Sequence, residues 1–318
     1  MKYLIHQLNR KSHSTNFQEI WNVPNPPLQL FAQGTLKGLA LLQQLPERGL
    51  AIVGTRNPLP ISISFVEKRL AELSGSNLII LSGLARGIDS AAHRGALQAK
   101  LPTIALLGTG LDSNYPQENR SLREQILLSD GLLVSEFPPG KPTFDFHFLQ
   151  RNRLIASWSK ATWIVEASHR SGSLNTAKWA RDRDRVCFTL PCFPGNPAFA
   201  GNQRLLDEDQ ALPFWGIHSL GAAWIEFATY CTKKTAPKNK IYSMNLESNA
   251  LSPTVEALVR QVRAFTYQKG GAEIQEVFDW AISQGWEPEI FFTLLKKAIQ
   301  GKKMMDQQGK IFSSIEND

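Results

Sequence analysis

The sequence predicts an α/β protein, a doubly wound and mostly parallel sheet followed by a small α+β module. Three observations predict it. Six short apolar runs, each ended by Gly, Ser or Pro, recur between residues 50 and 192. The runs are near-continuous in apolar residues rather than alternating, as strands covered on both faces require. Between them lie segments with helical periodicity, such as ISISFVEKRLAEL and RGIDSAAHRGALQAK. Strands alternating with helices imply parallel pairing through right-handed crossovers.

Taken in order, residues 1–48 read as a short, irregular N-terminal extension. Pro24, Pro26, Pro27 and Pro46 fall in it, and each proline lacks a donor and restricts the residue before it. LQLFAQGTLKGLALLQQL after the proline cluster has room for a short strand and a short helix. Residues 49–230 hold the strand runs: LAIVGTR (50–56), NLIILSG (77–83), PTIALLGTG (102–110), GLLVSEFP (131–138), ATWIVEAS (161–168) and RVCFTLPC (185–192). Residues 231–250 read as a basic linker containing KKTAPKNK. From 251 to 318, three amphipathic segments precede KKMMDQQGKIFSSI, whose Gln-Gln-Gly between short apolar stretches signals a hairpin. Three helices and a hairpin predict a small winged-helix-like module.

Composition removes several classes. The 318 residues are 42% hydrophobic and 20% charged, with 35 Lys plus Arg against 28 Asp plus Glu, a net charge of +7. That balance suits polyanionic partners without specifying a fold. No apolar run approaches the roughly 20 residues that span a bilayer. The start, MKYLIHQLNRKSHSTN, turns polar too early for a signal peptide. Cys187, Cys192 and Cys231 form no CxxC pair, and HExxH is absent, so neither a metal nor a redox site is indicated. A cytoplasmic protein without metal or cofactor is expected.

In a doubly wound sheet, ligands sit outside the carboxyl ends of the strands, where strand order reverses. The residues after each run are therefore informative. In IVGTR, Gly54 allows a sharp turn and Arg56 is carried to the ligand edge, where its planar fork suits a phosphate; the competing reading is an ordinary surface arginine. GxGxxG is absent, which counts against NAD or FAD. In LSGLARGIDSAAHRGAL (81–97), Gly83 and Gly87 flank a tight strand-to-helix passage with Arg86 at its mouth. Asp89 falls in the first helical turn, where a carboxylate suits the helix dipole. His93, four residues on, shares its face, a pair that reads as a structural latch before a catalytic dyad.

The stretch FPPGKPTFDFHFLQRNRLIASWS (137–159) interleaves Phe144, Phe146 and Phe148 with Lys141, Arg151 and Arg153. Cations for phosphates and rings for bases are what a single strand requires, each stack contributing about 1–3 kcal/mol. The alternative is that the phenylalanines belong to the core. In EASHRSGSLNTAKWA (166–180), Ser171-Gly172-Ser173 opens a helix with Thr176 on its first turn, an amide-and-hydroxyl cradle for an anion. It lacks the GK[ST] of a P-loop, and GxSxG does not appear. RDRDR (181–185) reads as a self-neutralising surface.

Together and in this order, IVGTR, SGLARGIDSAAH, TIALLGTGLDSNYPQEN, SEFPPGKP, RNRLIAS, EASHRSGSLNTAKWA and PCFPGN with GNQRLL resemble the DNA-processing protein A family (DprA, also called Smf). The resemblance covers residues 50–210, about half the chain. It implies a Rossmann-like domain and a protein that is not an enzyme. Such a protein binds single-stranded DNA, brings the RecA recombinase onto it in natural transformation, and forms a homodimer. By motif match it implies Arg56, Gly83, Arg86, Lys141, Arg151, Arg153, Ser171 and Gly172 as pocket residues; the residue reading adds Gly54, Gly87 and Thr176. Phe148 is the expected base-stacking ring, on spacing. RNR has a second reading, in which a buried arginine ties strand ends together.

The sequence departs from the family in its C-terminal module, whose helices are less regular than the winged helix of many members, and in two further places. About 49 residues before IVGTR are too few for the N-terminal helical domain of longer members, and LLDEDQALP replaces the usual Gly-Ala ending. The alternative function is a hydrolase of the nucleoside-monophosphate phosphoribohydrolase type, which binds phosphates at the same strand ends. Its PGGxGT motif is missing, and Glu136 and Glu166 are its candidate acids. A further alternative is a relative whose pocket holds only a nucleotide ligand.

Overall fold

The computed structural model describes residues 4–10, 17–192 and 195–224, together with 272–273, 277, 304–307 and 310–313. The chain forms two compact units, Met1–Lys233 and Lys234–Asp318. In the first, the elements in chain order begin with β1 (Leu4–Asn9), α1 (Gln18–Trp21), β2 (Gln29–Gly34) and α2 (Leu36–Ala40). Next come β3 (Gly49–Val53), α3 (Pro60–Glu72), β4 (Ile79–Ser82), α4 (Ile88–Gln98), β5 (Thr103–Leu107) and α5 (Arg120–Leu128). They end with β6 (Leu132–Ser135), α6 (Asp145–Ser157), β7 (Ala161–Ile164), α7 (Ser173–Arg181), β8 (Val186–Thr189), α8 (Ala200–Asp207) and β9 (Leu212–Pro213).

The six apolar runs are β3 to β8. Every residue of β3 through β7 is buried, which is why their sequences do not alternate: both faces are covered. The sheet order is β1-β2-β6-β5-β4-β3-β7-β8-β9. Joins from β6 across to β9 are parallel. The chain winds outward from β3 to β6, then returns to place β7 on the other side of β3. Strand order therefore reverses between β3 and β7. The apolar layer around Val66, Leu70, Ala92, Trp163, Phe188 and Phe214 packs α3 and α4 on one face of the sheet. The layer around Ile20, Leu30, Leu154, Trp158 and Ala177 packs α6, α7 and the N-terminal segment on the other.

Residues 4–10 and 17–48 correct the expectation of an irregular extension. β1 pairs with β2 along its whole length, and β2 continues antiparallel onto β6, Phe31 opposite Ser135 and Gly34 opposite Leu132. The short strand and helix expected after the prolines are β2 and α2, the latter capped by Thr35, whose hydroxyl accepts from the Gly38 amide. Trp158 fastens the segment by donating from Nε1 to the Ile20 carbonyl at 2.9 Å.

In the second unit, β10 (Ala272–Glu273), β11 (Met304–Gln307) and β12 (Lys310–Ser313) form a sheet in the order β10-β12-β11. The expected hairpin is β11 and β12, antiparallel from Met304 opposite Ser313 to Gln307 opposite Lys310. The linker and the three amphipathic segments expected between 231 and 301 lie outside the described residues, apart from β10 and Val277.

Candidate functional site

At the reversal between β3 and β7 the strand ends bound a cleft of about 400 Å³. β3 contributes Gly54, Thr55 and Arg56; the β7 side contributes Ser168 and the stretch Ser171 to Ser173 with Thr176; α6 closes it with Phe148, Arg151 and Asn152. This is where the winding rule places a ligand.

Arg56 is exposed, and its guanidinium carbon stands 5.4 Å from the centroid of the Phe148 ring, within cation–π reach. Among the described residues Arg56 makes no ion pair, so its charge is available to an incoming anion. Across the cleft α7 begins at Ser173, with Gly172 as its N-cap. The hydroxyls of Ser171 and Ser173 are 2.8 Å apart, and the buried Thr176 completes a polar wall at the positive end of the helix dipole.

The floor is cationic and fixed. Arg151 is buried and donates to the carbonyls of Gly83 (2.9 Å) and Leu106, clamping the ends of β4 and β5, and to Asn152 Oδ1 at 3.2 Å. Burial pulls its pKa down to about 10 against the opposing effect of Asp89, so it remains charged at neutral pH. Gly83 is required beside it, because the guanidinium occupies the place a Cβ would take. Gly87 caps α4 with φ +80°, and a Cβ there would come within 2.8 Å of the Arg56 backbone. This close approach, with the Ile88 amide donating to the Thr55 carbonyl, presses the β3 and β4 loops together.

Asp89 is the only carboxylate lining the cleft among the described residues. It accepts from the amides of Gly83 (3.1 Å) and Ala85 (3.4 Å), and burial raises its pKa. Asp89 and His93, read from the sequence as one latch, are not bonded to each other; the turn amides take the carboxylate. His93 does act as a latch, but its Nδ1 donates to Thr103 Oγ1 at 2.7 Å, since that hydroxyl is itself donating to the Ile80 carbonyl. Desolvation and the Arg151 charge lower the His93 pKa to about 3.

Gly54, Arg56, Phe148, Arg151, Ser171, Gly172 and Thr176 are thus brought together, with Gly83 and Gly87 shaping the cleft from behind. Arg86 lies on an adjoining groove and stands 3.7 Å from Glu118, both largely exposed. Lys141 lies outside the cleft lining, its Nζ 5.0 Å from the Phe137 ring centroid. Arg153 lies outside the cleft lining, and the arginine that ties strand ends is Arg151. Arg153 is buried, bonds both oxygens of Glu136 at 2.7 Å, and donates to the carbonyls of Pro24, Asn25 and Gln150. Two residues apart on a helix, Arg151 and Arg153 cannot share a face.

The phenylalanines are not core: Phe144 and Phe146 are exposed and stacked at 5.7 Å, and Phe148 is half-buried. Sequence reasoning missed Asn152, which donates to the Gly172 carbonyl at 3.3 Å and so joins α6 to the start of α7. Its only signal was a polar residue between two buried arginines. Neither candidate acid lines the cleft. Glu136 is held by Arg153, while the buried Glu166 carboxylate accepts from the Leu59 amide at 3.0 Å.

The profile of the DNA recombination-mediator protein A family matches residues 6–222. The chain belongs to that family. Among its curated relatives, Protein Smf of Synechocystis is 40% identical over 205 residues, covering 62% of this chain and 51% of the relative. Protein Smf of Escherichia coli is 36% identical over 230 residues, 71% and 58% of the two chains. The chain thus spans between half and three fifths of the length of these relatives. The structure of DNA processing protein A from Streptococcus pneumoniae superposes with a TM-score of 0.60 at 34% identity, covering 69% of this chain and 74% of that one. DNA processing protein A from Helicobacter pylori, described in terms of its single-stranded DNA binding mode, gives 0.59 at 28% identity, covering 73% and 99%. The family's fold is the Rossmann-like α/β arrangement found here.

Proposed function

We propose that the chain is a non-catalytic recombination mediator that binds single-stranded DNA in the cleft at the sheet reversal. The observation that carries this reading is the Arg56–Phe148 pair facing the α7 N-terminus. It sets a free cation, an aromatic face and an anion-binding helix end around one opening, the combination that phosphates and bases together require. Family membership and the single-strand binding described for the Helicobacter pylori relative support it.

The non-catalytic part is supported by the carboxylates. Asp89 is occupied by backbone amides, and Glu136 and Glu166 are engaged away from the opening. We further propose that the protein acts in the cytoplasm as a homodimer and passes the strand to the RecA recombinase during DNA uptake. Residues 251–318 are proposed as a winged-helix module joined by the 231–250 linker. No helix among the described residues is long and apolar enough to cross a membrane.

The test is fluorescence anisotropy of labelled oligo-dT, competed with unlabelled duplex of equal length. Binding that oligo-dT displaces and duplex displaces poorly is the expected result. Equal displacement by duplex, or no binding at low salt together with turnover of nucleoside monophosphates, would overturn the reading.

A further inference from the structure

We propose that Tyr115 is a second stacking platform, so that the strand crosses over Phe148 and lays its next base on Tyr115 with the adjoining phosphate at Arg86. The inference rests on the single-strand-binding reading above and extends it to a second subsite.

Phe148 lines two openings, the main cleft and a groove on the side of the β4 and β5 ends. It is closely held. Arg56 stands at one face, and a Cβ on Gly108 would come 2.5 Å from the edge of its ring. Tyr115 is its third neighbour, with centroids 5.4 Å apart and planes inclined at 43°. Phe148 is largely covered as a result, whereas Tyr115 leaves 49% of its surface open. The groove between them encloses only about 10 Å³, roughly the space of one water. A base there has no room to insert. It must lie across the groove on the open ring.

The loop that carries Tyr115 is fixed before any ligand arrives. Arg123 donates to the carbonyls of Leu111 and Ser113. Three residues beyond Pro116, the buried Asn119 donates to the carbonyls of Leu84 (2.8 Å) and Ala85 (3.1 Å) and is bonded by the Ser90 hydroxyl. The platform is therefore tied to the same β4 turn that carries Arg86. A ring held in place loses little conformational freedom on stacking. Arg86, 55% exposed and only loosely paired with Glu118 at 3.7 Å, supplies a cation on the same groove. One nucleotide in the main cleft and the next on Tyr115 give the strand a path across the sheet end.

The experiment measures oligo-dT affinity by anisotropy for the full chain and for Tyr115→Leu, Tyr115→Phe and Arg56→Ala, each with a labelled thymidine mononucleotide and with a longer oligomer. Leucine keeps apolar bulk without a π-face, so loss of packing is separated from loss of stacking. Tyr115→Leu should weaken the longer oligomer about fivefold or more, as expected for one lost stack. Its salt slope should be unchanged, since no phosphate contact is removed. Tyr115→Phe should bind like the parent, and the mononucleotide should be insensitive to all Tyr115 changes. Parent-like binding by Tyr115→Leu alongside weakened binding by Arg56→Ala would overturn the platform and leave the main cleft standing. No oligo-dT binding by the parent would remove both.

Discussion

Arg153 offers a direct separation of folding from binding. Its guanidinium and the Glu136 carboxylate are each only 4% exposed and are joined at 2.7 Å. Arg153→Met keeps most of the apolar stem but leaves the Glu136 charge buried with only the neutral Gln150 amide donating to it at 3.1 Å, a change that costs about 3–5 kcal/mol. The carbonyls of Pro24, Asn25 and Gln150 lose their donor as well, so the upper half of that range is expected. With a urea m-value of about 2–3 kcal/mol/M for a unit of this size, the unfolding midpoint should fall by about 1.3–2.5 M. Removing the charge from both sides in Arg153→Met/Glu136→Leu should recover part of this, but not the share owed to the three carbonyls. The assay is urea unfolding by tryptophan fluorescence, with oligo-dT anisotropy on the folded variant in parallel. Binding per folded molecule should stay within about twofold of the parent, a negligible difference in free energy. A parent-like midpoint with weakened binding would refute the reasoning and return Arg153 to the interface.

Three further predictions concern the cleft and its support. His93 has a folded pKa near 3 against 6.5 when exposed, so its contribution is present above pH 6.5 and lost as pH falls toward 3. Stability of the parent should fall by up to about 1.4 kcal/mol more per pH unit than that of His93→Gln between pH 6 and 4, and parallel curves would argue against a buried neutral imidazole. Gly87→Ala forces a side chain into φ +80° and against the Arg56 backbone. It should cost about 1–3 kcal/mol and weaken oligo-dT binding, whereas an unchanged melting temperature would show that the two loops are not pressed together. Asp89→Asn, which still offers an oxygen to the Gly83 and Ala85 amides but carries no charge, should keep oligo-dT binding at neutral pH. Its loss would assign the carboxylate a role at the interface.

The central sheet was legible because burial on both faces leaves a plain mark, a run of apolar residues closed by glycine or serine. β1 left none. LIHQLN joins the sheet through backbone pairing at its edge, where side chains need not be apolar. The cleft was legible to the extent that its residues follow strands, which is how Gly54, Arg56 and Ser171 were found. Residues on α6 were harder, because a helix turns successive side chains in different directions. The RNR string sends Arg151 to the strand ends and Arg153 to the carbonyls of Pro24 and Asn25, and only the fold distinguishes them. Asp89 and His93 shared a helical face as expected, yet the nearer turn amides and Thr103 took their hydrogen bonds.

The central claim, that the cleft at the sheet reversal holds the phosphates of a single strand through Arg56, is tested most directly by a salt series. Oligo-dT affinity of the parent should fall linearly with salt on logarithmic axes. Arg56→Ala should bind more weakly across sequences alike, with a slope flatter by about 0.7 to 1. An Arg56→Ala protein with the parent's affinity and slope would place the DNA elsewhere and contradict the account.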